Sequence, residues 1–252
     1  GSTQTGASSV ASATKATGPN WITFKGNTNP TRLMPKLATI LAGANISGPL
    51  TGGDAGANTE ALSSVSRTLN FRLTVRDNAV YSSTAPVSVG QTQFDDMIVT
   101  VTNTSGPFAV TAPNTAVSWA GNSNQTVTWS VNNTTAAPVS CANVKISLST
   151  DGGNTFATLI ASTPNDGSEV IAVPNTASTT ARVKVEAVGN IFFDISNTNF
   201  TITAGSSCGT PGFLSSTAIT STSATVLWAT VAGATSYDVD YKLSTSGTWT
   251  NG

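Results

Sequence analysis

The feature that most constrains this chain is a two-residue alternation of apolar and polar side chains. In LNFRLTVRDN, Leu69, Phe71, Leu73 and Val75 fall on one side, and Asn70, Arg72, Thr74 and Arg76 on the other. FDDMIVTVTN continues in step with Met97, Val99 and Val101. A period of two sends successive side chains to opposite faces of an extended strand, so such runs read as half-buried β-strands. AVSWA, QTVTWSV, NVKISLST, EVIAVPN, ARVKVEAVG, IFFDIS and NFTITA follow, separated by Gly, Asn and Pro turns.

Short strands at this spacing predict sandwiches of the immunoglobulin type, which take about 100 residues each. The expected fold is all-β: tandem immunoglobulin-like or fibronectin-like β-sandwiches. Residues 1–18 are a low-complexity Ser/Ala/Thr/Gly segment, mobile unless something pins it. A first β-sandwich is expected over 19–105. Within it, RLMPKLATILAGA has weak helical spacing broken by Pro35 and reads as a strand or a single turn. An Ig-like sandwich is expected over 106–205. There Val127, Trp129 and Val131 point inward, as do Val144, Ile146 and Leu148, then Val183 and Val185. Trp129 reads as core; Trp119 is open. GSSCGTPG reads as a linker into an incomplete segment over 206–252, with strands near Phe213, from Ala224 to Trp228, and from Tyr237 to Tyr241.

Composition narrows the function. Only 9% of residues are charged, against about 25% in an average domain. Net charge is −1 with no basic cluster, so phosphate-driven nucleic-acid binding is not expected. There is no apolar run of the ~18 residues that a membrane helix needs, and the opening residues have no apolar signal-peptide core. The chain contains no histidine, which rules out Ser-His-Asp and Cys-His nucleophilic machinery and His-ligated zinc within it. Glu60, Glu169 and Glu186 fall in a loop or on strands, away from any cleft motif. Cys141 and Cys208 are the only cysteines and lie in different modules. Spacing alone leaves a bridge or two separate thiols open.

SLSTDGGNTF carries the densest polar pattern: Ser149, Asp151, Gly153, Thr155 and Phe156 in the order Ser-x-Asp-x-Gly-x-Thr-aromatic. Asp151 is placed to accept backbone N–H groups across the turn, and Gly152 and Gly153 supply positive φ. The reading is a structural turn, not an active-site loop. TPNDGSEV forms a second turn around Asp166. Asp151 and Asp166 are weak calcium candidates, as are Asp95 and Asp96, since calcium takes six to eight oxygen ligands and neither loop has that acidic density. Asp95 and Asp96 are adjacent on a strand and point to opposite faces, which argues against a shared-proton dyad.

The first of these turns resembles the Asp-box of bacterial neuraminidase repeats, where it is a hairpin and not catalytic. Three longer stretches carry a second resemblance: SVSRTLNFRLTVRDN, VSCANVKISLSTDGGNTFATLIASTPNDGSEVIAVPN and GNIFFDISNTNFTI. Together they resemble the region downstream of the catalytic domain in secreted bacterial metalloproteases of the reprolysin-like type. ATVLWATVAGATSYDVDYK is similar to the first half of a fibronectin type III domain. The resemblance implies β-sandwich accessory modules ahead of fibronectin repeats, secretion, and no catalytic residue in this chain, because the His-Glu-x-x-His motif is missing.

Two functions are expected from these observations. One is a non-catalytic structural or adhesive protein of the bacterial surface, with other copies of itself or other surface proteins as partners. The other is the substrate- or carbohydrate-binding accessory region of a secreted zinc metalloprotease whose catalytic domain is absent from this chain, which would expose two or three coplanar aromatic rings toward glycans. No cofactor is expected beyond a weak calcium site, and no membrane insertion.

Overall fold

The computed structural model describes residues 9–23, 25–49, 57–205, 209–212, 214–231, 234, 236–242 and 245–251. The chain is nearly all β. One short helix, α1 (Leu37–Leu41), follows Pro35 as a single turn. Near it, β1 (Ile46–Ser47) pairs with β2 (Glu60–Ala61). Next come β3 (Arg67–Arg76) and β4 (Thr92–Val101), antiparallel and in unbroken register from Arg67 opposite Val101 to Arg76 opposite Thr92.

The packed body begins with β5 (Ala109–Ala112), β6 (Ser118–Ala120), β7 (Asn124–Ser130) and β8 (Asn143–Ser149). It continues with β9 (Ala157–Pro164), β10 (Ser168–Ala172), β11 (Ser178–Ala187), β12 (Phe193–Ile195) and β13 (Phe200–Thr203). One sheet has the order β10-β7-β5; the other has the order β6-β13-β11-β8-β9, with β12 also on β11. Both sheets supply the same core. Val110, Val127, Trp129 and Ile171 come from the first, and Trp119, Val144, Ile146, Leu148, Val183, Val185, Phe200 and Ile202 from the second. Trp119 is buried and packs on Phe200 with ring centroids 4.6 Å apart. The alternation in the sequence therefore maps onto two inward faces.

The described residues of 19–105 do not build the sandwich expected there. They hold a pair of two-residue strands and the β3–β4 ribbon, which pair only within themselves. Leu69 is buried, but Leu73, Val75 and Met97 are 69%, 61% and 54% exposed. The alternation is present; no second layer lies over it. Residues 9–18 are not free of the fold. Arg67 donates to the carbonyls of Lys15 and Gly18, and Asn20, fully buried, bonds both backbone groups of Ser12.

Beyond the sandwich, β14 (Ser215–Thr217) pairs with β15 (Thr225–Leu227), and β16 (Asp240–Tyr241) with β17 (Thr250–Asn251). Phe213 and Cys208 lie outside the described residues. Cys141 is a buried free thiol. Trp228 meets Tyr237 with centroids 5.5 Å apart.

Candidate functional site

The turn from Ser149 to Phe156 joins β8 to β9 and is built around one carboxylate. Asp151 Oδ1 accepts the Ser149 hydroxyl at 2.6 Å and the amides of Thr155 and Asn154 at 2.9 and 3.0 Å. Its Oδ2 accepts the Thr155 hydroxyl at 2.6 Å. Ser149 Oγ in turn accepts the Gly153 amide at 2.8 Å. These donors, led by the Ser149 and Thr155 hydroxyls, hold the Asp151 carboxyl well below the usual carboxylate range. An ionised carboxylate offers about four lone-pair sites. Three donors converge on Oδ1 and one on Oδ2, so the group is bound mainly within its own turn.

Gly153 sits at φ +94°, and a Cβ there would lie 2.4 Å from Leu41 Cδ2. The turn thus seats the end of α1 directly against its backbone. Arg182 reinforces that contact: its guanidinium reaches Asn199 Oδ1 and the carbonyls of Ser196 and Leu41.

The second turn is held by Asn165, not by Asp166. Asn165 is buried and takes the Trp129 indole N–H at 2.9 Å, while its amide nitrogen donates to Thr134 Oγ1 and the Cys141 carbonyl. Asp166 is exposed and accepts only the local Ser168 amide. Asp151 and Asp166 stand at opposite ends of the eight residues of β9, about 25 Å of strand. Asp96 forms a two-toothed ion pair with Arg72 at 2.7 and 2.8 Å. Asp95 lies on the other face, opposite Leu73. Among the described residues, no three His, Cys, Asp or Glu side chains gather at one point. The four candidate aspartates are separate features.

Two carboxylates, the buried Glu60 and the half-buried Asp194, carry no local signal in the sequence. Glu60 is fully buried and is bonded by Arg32 at 2.7 Å, the Lys36 amide at 2.8 Å and Ser47 at 3.2 Å. Asp194 accepts the Val110 amide at 2.7 Å, joining β12 of one sheet to β5 of the other. Burial pushes the Asp194 carboxyl up from its ordinary value. Both act through partners far away in sequence, which spacing does not reveal.

The β3–β4 ribbon leaves many large apolar side chains in solvent. Leu73, Val75, Phe94, Met97 and Ile98 are all more than half exposed, and its connecting segment adds Val80, Tyr81, Val87 and Val89. A scan of the chain against protein-family models finds no match, and a search among curated proteins finds none.

Proposed function

We propose that this chain is a non-catalytic structural or adhesive β-sandwich protein of the bacterial cell surface, acting through contact with other copies of itself or other surface proteins. The observation that carries this reading is the exposed apolar ribbon standing beside a fully packed sandwich. Exposed large apolar side chains gathered on one element, here on both faces of the ribbon, point to an interaction site. The chemistry of the chain points the same way. It has no histidine, and its most polar loop spends its carboxylate on its own backbone.

The accessory, glycan-binding reading asks for coplanar exposed rings. Tyr241 and Trp249 are 60% and 59% exposed. Tyr241 pairs with Thr250, so strand alternation sends Trp249 to the other face, where Lys242 covers its ring at 4.7 Å. That geometry favours the structural reading. The test is an assay of the purified chain against casein, gelatin, sialosides and polysaccharide affinity gels, with zinc and calcium supplied. No turnover and no retention are expected. Chelator-sensitive turnover traced to this chain, or tight glycan retention, contradicts the reading.

A further inference from the structure

We propose that β3 and β4 form an edge-to-edge docking arm that pairs with the same arm of a second copy, the β3 edge of one against the β4 edge of the next. This inference rests on the assembling reading above and names the surface that does it.

The arm is anchored at one end only. Arg67 is buried and bonded to the segment before it, and Leu69 is buried, whereas the side chains from Leu73 outward stand in solvent. Among the described residues, neither outer edge receives a backbone hydrogen bond from another segment. Beyond the buried base at Arg67 and Leu69, each edge thus runs on without a backbone partner among the described residues. A two-stranded ribbon is marginal alone in water, and three or more strands with an apolar face make a stable sheet. Unpaired edges are also templates for another strand.

Charge selects the partner and the orientation. β3 carries Arg67, Arg72 and Arg76 and no acid; β4 carries Asp95 and Asp96 and no base. Pairing two β3 edges sets arginines against arginines, and pairing two β4 edges sets aspartates against aspartates. Unlike edges in the internal register let Arg72 and Asp96 alternate from copy to copy along the polar face, whereas Arg67, Arg76 and Asp95 stand opposite Val101, Thr92 and Leu73. Translating one arm onto the next gives the order β3-β4-β3-β4, antiparallel throughout. With the internal register repeated, Asp96 of each copy falls beside Arg72 of its neighbour. Leu73, Val75 and Met97 then stay on one side together with Asp95, which falls opposite Leu73 at every contact and keeps that face open to water. The contact is head-to-tail and does not close, so it extends into a filament.

The existing ribbon is compatible with this arrangement. On its polar face Arg72 lies over the Phe94 ring at 4.0 Å while bound to Asp96 of the same chain, so the guanidinium already stands in the charge row that the contact would extend.

Two measurements on the intact chain test the proposal. The first is hydrogen exchange of the unaltered protein at low and at hundredfold higher concentration. Amides of 67–76 and 92–101 are expected to exchange roughly tenfold or more slowly at the higher concentration. The second uses two charge-reversed variants, Arg72→Glu with Arg76→Glu, and Asp95→Lys with Asp96→Lys. Each is expected to stay monomeric alone, because the exposed charges on both its edges then carry one sign, and the two are expected to associate on mixing. Association of the unaltered chain with unchanged exchange in both strands overturns the arm while leaving the assembling reading intact. An unaltered chain that stays monomeric at every concentration overturns both. If the variants lose the ribbon altogether, the exchange measurement alone decides.

Discussion

The indole N–H of Trp129 donates to Asn165 Oδ1 at 2.9 Å, tying the middle sheet strand β7 to the turn between β9 and β10. Trp129 fills the core with its ring, and Asn165 answers its one polar atom. The same amide group satisfies Thr134 and the Cys141 carbonyl, so three separate segments converge on one side chain.

Asn165→Ala should therefore be costly. It strands the indole N–H and a buried carbonyl, at about 1–3 kcal/mol each. Asp166→Ala, one residue on, should lie within about 0.5 kcal/mol of the parent because its side chain is exposed. Denaturant melts of the two variants check this. Equal effects would mean that the turn, and not the indole bond, is what matters.

Glycine substitutions separate backbone strain from docking in the β8–β9 turn. Gly152 has φ +79° with open space around it, and Gly153 has φ +94° with Leu41 in the way. Gly152→Ala should cost about 1 kcal/mol, and Gly153→Ala about 2–4 kcal/mol. Leu41→Ala should relieve part of the Gly153→Ala penalty in a double-mutant cycle. Purely additive losses would show that α1 does not rest on the turn.

Glu60 holds the region around α1 together. Its carboxylate is the common acceptor for Arg32, Ser47 and the Lys36 amide. Glu60→Ala leaves the buried Ser47 hydroxyl and the Lys36 amide without this acceptor while Arg32, partly exposed, keeps the Ile22 carbonyl, and should cost about 1–3 kcal/mol. The loss should be local, seen as faster proteolysis between residues 9 and 66 with the sandwich intact. Unchanged cleavage there would refute the role.

Two carboxylates give opposite pH signatures. Asp151 has a depressed pKa in the fold, so its stabilisation is present above the ordinary carboxylate pKa of about 4 and is lost as pH falls below it. Asp151→Ala should lower the melting temperature at pH 7 and lose that difference in strong acid. Asp194 has a raised pKa, so its ionisation favours the unfolded chain and stability falls as pH rises from about 4 through the folded value. Asp194→Asn should melt higher than the parent at pH 7, with a gap that narrows toward about pH 3. A gap that widens on acidification contradicts this assignment.

Strands were legible where alternation met a covering layer. Val144, Ile146 and Leu148 are buried as their spacing requires, because β5, β7 and β10 lie across from them. The same alternation in β3 says which residues share a face and nothing about what covers that face. The segment from Ser9 to Gly18 shows no periodicity, yet it is pinned through its carbonyls by Arg67 and Asn58, contacts that composition cannot signal. The Asp151 turn was readable because its donors lie within four residues. The Trp129–Asn165 bond was not, since its partners are 36 positions apart and meet only in the folded sandwich.

Sedimentation velocity of the intact chain across a dilution series tests the central claim most directly. The sedimentation coefficient is expected to rise with concentration into the tens of micromolar, with species larger than a dimer at the top of the range. A single monomeric boundary at every concentration would contradict it.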